Sequence, residues 1–263
     1  MIEGSAALGL KAMDRPKNTD AAAFSCVTWN IHRGQGEDGR VDAGRTLEVL
    51  CSDVCAHGPD AVFLQEADEE TPPHHGILDI DRVERQTGLR SVHLDASLRW
   101  GAGSHGFLGV IVFLHPAFEL QDVTLLDLPG HCHRGAVIVD AERGGVPMRL
   151  IATHLSLSQI LRIAQMRTLG QHLFRRDARP TLLCGDLNEW RPWSGLALSR
   201  SVLGARFAGP TLATFPNKRP LLPLDRVLAS GGARVETARV LDGPGIRMAS
   251  DHRPLAADVV IAP

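Results

Sequence analysis

The sequence contains no tyrosine, and it carries only 3 lysines against 25 arginines. Aromatic residues make up 5% of the chain. Tyrosine is a common phosphate-contacting and base-stacking side chain, so its absence narrows how a phosphate-bearing ligand is held. Cysteine is also scarce. Cys26, Cys51, Cys55, Cys132 and Cys184 are odd in number and loosely spaced, which excludes a disulfide framework in a chain of this size. Cys51 and Cys55 lie one helical turn apart and are expected to be packed thiols rather than a zinc pair. Charge of either sign is not in excess. The formal net charge is -2, too little to draw the whole molecule onto DNA or an anionic membrane. Long apolar runs are missing too. The longest, about residues 107–114, is too short to span a bilayer. Residues 1–23 show no basic start followed by an apolar stretch, so no signal peptide is expected and the cytoplasm is the expected compartment.

What remains is ordinary globular material. The chain has 263 residues, 44% hydrophobic and 22% charged, enough to bury a sizeable core. It shows neither repeats nor a dividing linker. We expect a loose extension over residues 1–22, then one domain over 23–263, and a monomer. Short apolar, often β-branched runs predict strands at 24–29, 61–65, 110–114, 135–140, 148–154, 181–184, 224–229 and 255–261. A helical pattern over 42–57 puts Leu47, Leu50, Cys51 and Val54 on one face, with Asp42 as its N-cap. A second helix is expected over 158–175. Strands outnumber helices by about two to one, which predicts an α/β protein with two sheets and outer helices.

Polar residues recur at the ends of these strands. Asn30 and His32 follow the first, and Gln65 and Glu66 the second. His154 ends the fifth, Gly185-Asp186-Leu187-Asn188 the sixth, Asp225 opens the seventh, and Ser250-Asp251-His252 precedes the last. Taken singly, each has a bland reading. Asn30 reads as a strand-end cap, Glu66 as part of an acidic run with Asp68, Glu69 and Glu70, and Asp186-Asn188 as a turn. Their recurrence points instead to one shared site at the strand ends. Glu66, Asp186 and Asp251 are hard oxygen ligands, and Asn30 and Asn188 are neutral oxygen donors. Such a set suits Mg²⁺ or Mn²⁺. There is no HExxH or CxxC pair to favour zinc. With His154 and His252 available for proton transfer or charge stabilisation, the set fits attack of water on a phosphoester.

Five strings, in order, resemble the endonuclease/exonuclease/phosphatase superfamily. They are Thr28-Trp29-Asn30-Ile31-His32, Leu64-Gln65-Glu66, Thr153-His154-Leu155, Gly185-Asp186-Leu187-Asn188 and Ser250-Asp251-His252-Arg253-Pro254. Arg162 and Gln165 after Leu155-Ser156-Leu157, and Thr214-Phe215-Pro216 before Leu224-Asp225-Arg226, extend the likeness over residues 24–261. The resemblance implies a four-layer α/β/β/α sandwich of two mixed sheets, with the site where the sheets open. It implies that Asn30, Glu66 and Asp251 hold the catalytic Mg²⁺ (or Mn²⁺). By the same likeness Asp186 orients or deprotonates water, and Asn188 positions a phosphate oxygen. His252, oriented by Asp225, is a general base or phosphate ligand, so the base is either Asp186 or His252. His154 would stabilise the phosphorane or protonate the leaving oxygen.

Three departures bear on substrate. His32 stands where nuclease branches have an acidic residue. No tyrosine exists to contact the scissile phosphate, and Arg134 stands where many bacterial members carry an arginine able to bind phosphate bidentately. Gly109-Val110-Ile111 replaces a Gly-Asn-Ala string. The expected rim loops carry His74, His75, His105, His131, His133, Arg191, Lys218 and Arg219, with His32, Arg134, Lys218 and Arg219 as candidate substrate contacts. Trp190 and Trp193 would stack bases or pack their loop. Leu221 and Leu222 would suit an acyl chain. The expected activity is a phosphodiesterase or phosphatase of small or lipid-like phosphoesters. A DNA or RNA nuclease is the alternative, with nucleic acid as its partner, and a non-catalytic phosphate or metal binder is the third reading.

Overall fold

A computed structural model describes residues 22–130, 134–191 and 195–262. The expected N-terminal extension through residue 21, Cys132, the rim residues His131 and His133, and Trp193 lie outside the described residues. One sheet has the strand order β10-β11-β1-β2-β4-β3 and the other β5-β6-β7-β8-β9. The first comprises β1 (Ala22–Asn30), β2 (Ala61–Gln65), β3 (Arg90–Ser91), β4 (Ile111–Leu114), β10 (Ala233–Val240) and β11 (Leu255–Ile261). The second comprises β5 (Glu119–Leu128), β6 (Arg134–Arg143), β7 (Val146–His154), β8 (Thr181–Asp186) and β9 (Asp225–Ser230). Both sheets are mixed. β1 pairs parallel with β2 and β7 parallel with β8, while the other strand pairs are antiparallel.

Alternation of side chains places the layers. Cys26 and Phe63 of one sheet meet Val137, Val139, Leu150, Leu182 and Val227 of the other in a core between the sheets. The opposite faces are apolar as well, so each needs a helical cover. Val27, Trp29, Val62 and Phe113 pack against α1 (Ala43–Val49), α2 (Ile80–Thr87) and α5 (Pro244–Ala249) through Leu47, Val83 and Ile246. Ile138, Ile151, Leu183 and Leu228 pack against α3 (Gln159–Phe174) and α4 (Arg200–Leu203) through Met166, Leu169 and Leu203. This is the expected four-layer sandwich. Each large apolar side chain removed from water contributes on the order of 1.5–3 kcal/mol.

The elements differ from the expectation in three ways. The helix expected over 42–57 starts as read, with Asp42 Oδ1 accepting from the Arg45 amide at 2.9 Å. It remains α-helical only to Val49, then widens into a π-helical turn over Leu50–Val54. Cys51 and Cys55 are half-buried rather than fully packed, and burial pushes the Cys55 thiol up to about 12. Three strands, β3, β5 and β10, escape the sequence reading. All three are edge strands whose side chains are exposed or half-buried apart from Ser91 and Leu128, so no apolar run marks them. The short helices α2, α4 and α5 are likewise not anticipated; Val83, Leu203 and Ile246 are their buried anchors.

His93 follows β3 and is buried. Its Nδ1 donates to the Leu98 carbonyl at 2.7 Å, and its Nε2 accepts from the Val112 amide at 3.4 Å. Burial pulls its pKa down to about 4. Between pH 6.5 and 4 the unfolded chain binds a proton at this residue and the folded chain does not. Stability therefore falls as pH falls through that window, by at most about 3 kcal/mol. Urea unfolding at pH 7 and pH 4.5 is expected to show a loss in the wild type larger by roughly 2 kcal/mol than in His93→Gln. Equal losses would refute the assignment.

Candidate active site

The inward-facing rows of both sheets are apolar along most of their length and turn polar at one end. On β1 the row of Cys26 runs on to Thr28 and Asn30. On β7 the row of Leu150 runs on to His154, on β8 the row of Leu182 to Asp186, and on β9 the row of Val227 starts at Asp225. The parallel pairs place Asn30 opposite Gln65 and His154 opposite Asp186. Period-two alternation thus delivers these side chains to one end of the sandwich. Gly185 is needed there because a Cβ on it would sit 1.8 Å from the Thr153 carbonyl oxygen, and its φ is +139°.

Asp186 is at the centre. Its Oδ2 accepts from Asn30 Nδ2 at 3.0 Å, and its Oδ1 from the Asn188 amide at 3.0 Å. His154 Nε2 lies 3.4 Å and His252 Nε2 3.7 Å from Oδ2. Asn188 Nδ2 donates to the Leu155 carbonyl at 2.9 Å and stands 3.3 Å from His154 Nε2. His252 Nδ1 donates to Asp225 Oδ2 at 2.8 Å, and the same oxygen accepts the Thr214 hydroxyl at 2.6 Å. The His252 amide donates to Ser250 Oγ, whose hydroxyl donates to the Asn30 carbonyl at 2.7 Å. Trp29 Nε1 donates to the His252 carbonyl at 3.1 Å. Phe215 packs on the His252 ring at 4.9 Å between centroids. These bonds tie the loop before β11 to the ends of β1 and β9.

Glu66 lies one residue beyond β2. Its carboxylate forms an ion pair with Arg33, and Asn30 Nδ2 reaches it at 3.5 Å. Asp251 Oδ1 is buried, accepts no hydrogen bond, and lies 3.5 Å from His32 Nδ1. Asp225 Oδ1 is also buried without a donor. Asp186, Asp225 and His252 offer ligand-competent atoms within 4.8 Å of one another. In that trio, though, Asp225 Oδ2 and His252 Nδ1 are already committed to each other. Asn30, Glu66 and Asp251 line the same cleft and form an all-oxygen donor set, with an undonated Asp251 oxygen, whose chemistry suits a hard divalent cation.

Burial raises the Asp186 carboxyl above its ordinary value, against the opposing charge of His252. Burial opposes charge on His252, but the Asp225 and Asp186 carboxylates outweigh it and raise its pKa. His154 is held well below its ordinary value by burial, with the positive charges of Arg134, His252 and Arg33 adding to the effect. A neutral imidazole there offers a hydrogen bond rather than a charge.

His32, Arg134 and Asp251 line the same cleft as Asn30, Glu66, His154, Asp186, Asn188 and His252. Lys218 and Arg219 line neither this cleft nor the cavity beside it. Both are exposed, and Lys218 Nζ pairs with Glu37 at 2.9 Å. Sequence reasoning missed Arg33 and Glu189. Nothing in the local pattern distinguishes Arg33 from a surface arginine. Glu189 is fully buried behind Asn188. Its carboxylate meets Arg191 at 2.9 Å and Arg162 Nε at 3.5 Å, while Arg226 donates to its backbone carbonyl at 3.2 Å. Arg162 also donates to the Ser156 and Leu157 carbonyls. The loops after β7 and β8 are thereby fastened together.

A model of the Endonuclease/Exonuclease/phosphatase family matches residues 27–252. The chain belongs to this family. Members of the family are generally hydrolases of phosphoesters and generally use a divalent metal. The chain is 29% identical over 267 residues to the uncharacterized protein YbhP of Escherichia coli K12, covering 93% of this chain and 99% of that one. Its fold is similar to truncated Caenorhabditis elegans TDP2, with a TM-score of 0.63, 17% identity, and coverage of 91% of this chain and 98% of that one. It is also similar to the human Nocturnin catalytic domain, with a TM-score of 0.67, 19% identity, and coverage of 91% and 95%. At these identities the two likenesses bear on the fold.

Glu189 supplies the largest opposing charge acting on both Arg162 and Arg226, ahead of Asp186 and Asp225. Replacing it by glutamine removes the paired counter-charge of buried Arg162, which is expected to cost about 3–5 kcal/mol. Urea unfolding of Glu189→Gln measures this. A loss below about 1 kcal/mol, the size of a surface ion pair, would overturn the assignment.

Proposed function

We propose that the protein is a Mg²⁺- or Mn²⁺-dependent phosphoester hydrolase, acting on small or lipid-like phosphoesters. The observation that carries this reading is the chain from Asp225 through His252 to Asp186, set beside Asn188 and His154 in the cleft that Glu66 and Asp251 also line. Asn30, Glu66 and Asp251 would hold the cation, which supplies charge stabilisation at a phosphoryl oxygen. Asp186 takes the proton of the attacking water, since burial raises its basicity and its Oδ2 lies within reach of both imidazoles. His252, kept cationic by Asp225, sits against the developing negative charge. Asn188 orients a phosphoryl oxygen, and His154 offers a hydrogen bond to the departing oxygen. The water oxygen bonds to phosphorus, the bond from phosphorus to the ester oxygen breaks, the leaving oxygen takes a proton from solvent, and Asp186 returns its proton to solvent. Arg33 and Arg134, at the same cleft, suit phosphate binding. The human Nocturnin structure carries a bound sulfate anion, a tetrahedral oxyanion like the phosphoryl group inferred here.

A second reading, hydrolysis of nucleic acid, draws on Trp190. This ring is half-exposed at the cleft and lies beneath the Arg191 guanidinium at 5.2 Å, a surface on which a base can stack. The net charge of -2 weighs against avid duplex binding.

Hydrolysis of bis-p-nitrophenyl phosphate is expected with Mg²⁺ or Mn²⁺ and to be lost on adding EDTA. Asp186→Ala and His252→Ala are each expected to lower kcat by about 10²–10⁴-fold. If the wild type is no faster than both variants with any divalent metal, the enzymatic reading fails. Plasmid nicking at physiological salt at a comparable rate would favour the nuclease.

A further inference from the structure

The cleft does not end at the catalytic cluster. A cavity of about 370 Å³ contains the cluster, and a second of about 260 Å³ adjoins it. Arg33, Glu66, Arg134 and His154 line both. These four form a shared waist, from which the two cavities extend as arms with different walls. The arms differ in chemistry. Beyond the catalytic groups, the first is walled by Leu157, Trp190, Phe215 and Leu222. Leu157 is 78% exposed, an apolar side chain held in water beside a reaction centre. The second arm is walled by Asp68, Glu69, Glu70, His74 and Trp100.

Backbone conformation marks both arms. Six non-glycine residues among those described have positive φ: His32, Arg33, Glu66, His74, Leu108 and Asn188. Every one of them lines one arm or the other. Such conformations cost of order 1 kcal/mol or more each and gather where function holds them. His74 and Leu108 belong to the second arm alone, so the strain extends past the catalytic cluster.

We infer that the cleft takes an isolated, unsymmetrical phosphodiester. Its phosphate sits at the waist, an apolar substituent lies in the arm of Leu157, Trp190 and Leu222, and a polar, non-anionic substituent lies in the arm of Glu69, Glu70 and Trp100. This rests on the phosphoester-hydrolase reading above and deepens it. A monoester would leave one arm without an occupant. A polynucleotide would bring a neighbouring phosphate toward Asp68, Glu69 and Glu70, where like charge repels it. Hydrolysis of such a diester yields one alcohol and one phosphomonoester.

The test compares bis-p-nitrophenyl phosphate, methyl p-nitrophenyl phosphate, p-nitrophenyl phosphate and a single-stranded oligodeoxynucleotide, all with Mn²⁺. Both diesters are expected to exceed the monoester in kcat/KM by about tenfold or more. Leu157→Asp is expected to raise KM for both diesters about fivefold or more, with a much smaller change in kcat. Glu70→Trp, which fills the second arm from an exposed position, is expected to lower kcat/KM for the bis-aryl ester about tenfold. The methyl ester, whose small group needs little of that arm, should fall by less than about threefold. Thermal unfolding of the two variants checks that they fold. Faster turnover of the monoester, equal loss on both diesters with Glu70→Trp, or faster cleavage of the oligonucleotide overturns the inference while leaving the hydrolase reading standing. No hydrolysis of any substrate overturns both.

Discussion

The hydrogen bond from Asn30 to Asp186 joins the end of one sheet to the end of the other. It exists because the two inward-facing rows, apolar through most of the sandwich, leave Asp186 almost fully removed from water. A carboxylate in such a place is costly unless its oxygens are satisfied. The fold supplies that satisfaction from both sides. The Asn30 amide comes from the first sheet, the Asn188 amide and the His154 ring from the second, and His252 from the loop before β11. The demand of one buried charge thus fixes where four chain segments stop. The pair of His252 and Asp225 repeats the pattern, because its two members also belong to opposite halves of the sandwich.

Much of this was legible in the sequence, for a physical reason. A residue that ends an apolar strand inherits its direction from the alternation before it, so Asn30, His154, Asp186 and Asp225 carried their address in their neighbours. The apolar runs of the central strands were legible on the same ground. Edge strands β3, β5 and β10 were not, since a strand with one free edge and few buried side chains needs no apolar run. The π-helical turn at Leu50–Val54 keeps helical spacing in its residues and changes only the hydrogen bonding, to which a pattern of apolar positions is blind. Charged side chains were the least legible. Glu189 looks in sequence like any acidic residue beside a turn, yet it is fully buried among arginines. Lys218 and Arg219 look like a basic rim, yet neither lines the cleft, and Lys218 pairs with Glu37. Charge alone does not say which partner a loop residue finds.

The missing tyrosine and the abundance of arginine find a common setting at the waist of the cleft. A phenol would donate one hydrogen bond and bring no charge, whereas Arg33 and Arg134 bring two positive charges into a space shared with Glu66, Asp186 and Asp251. Guanidinium groups and carboxylates come close to offsetting one another there, as they do over the whole chain with its net charge of -2. A protein balanced in this way has little long-range attraction for a polyanion, and what field it has is screened within about 10 Å at moderate salt. Discrimination must then come from contact. The chemistry of the two arms, one walled by leucine and aromatic rings and the other by carboxylates, is where such contact differs between one phosphoester and another.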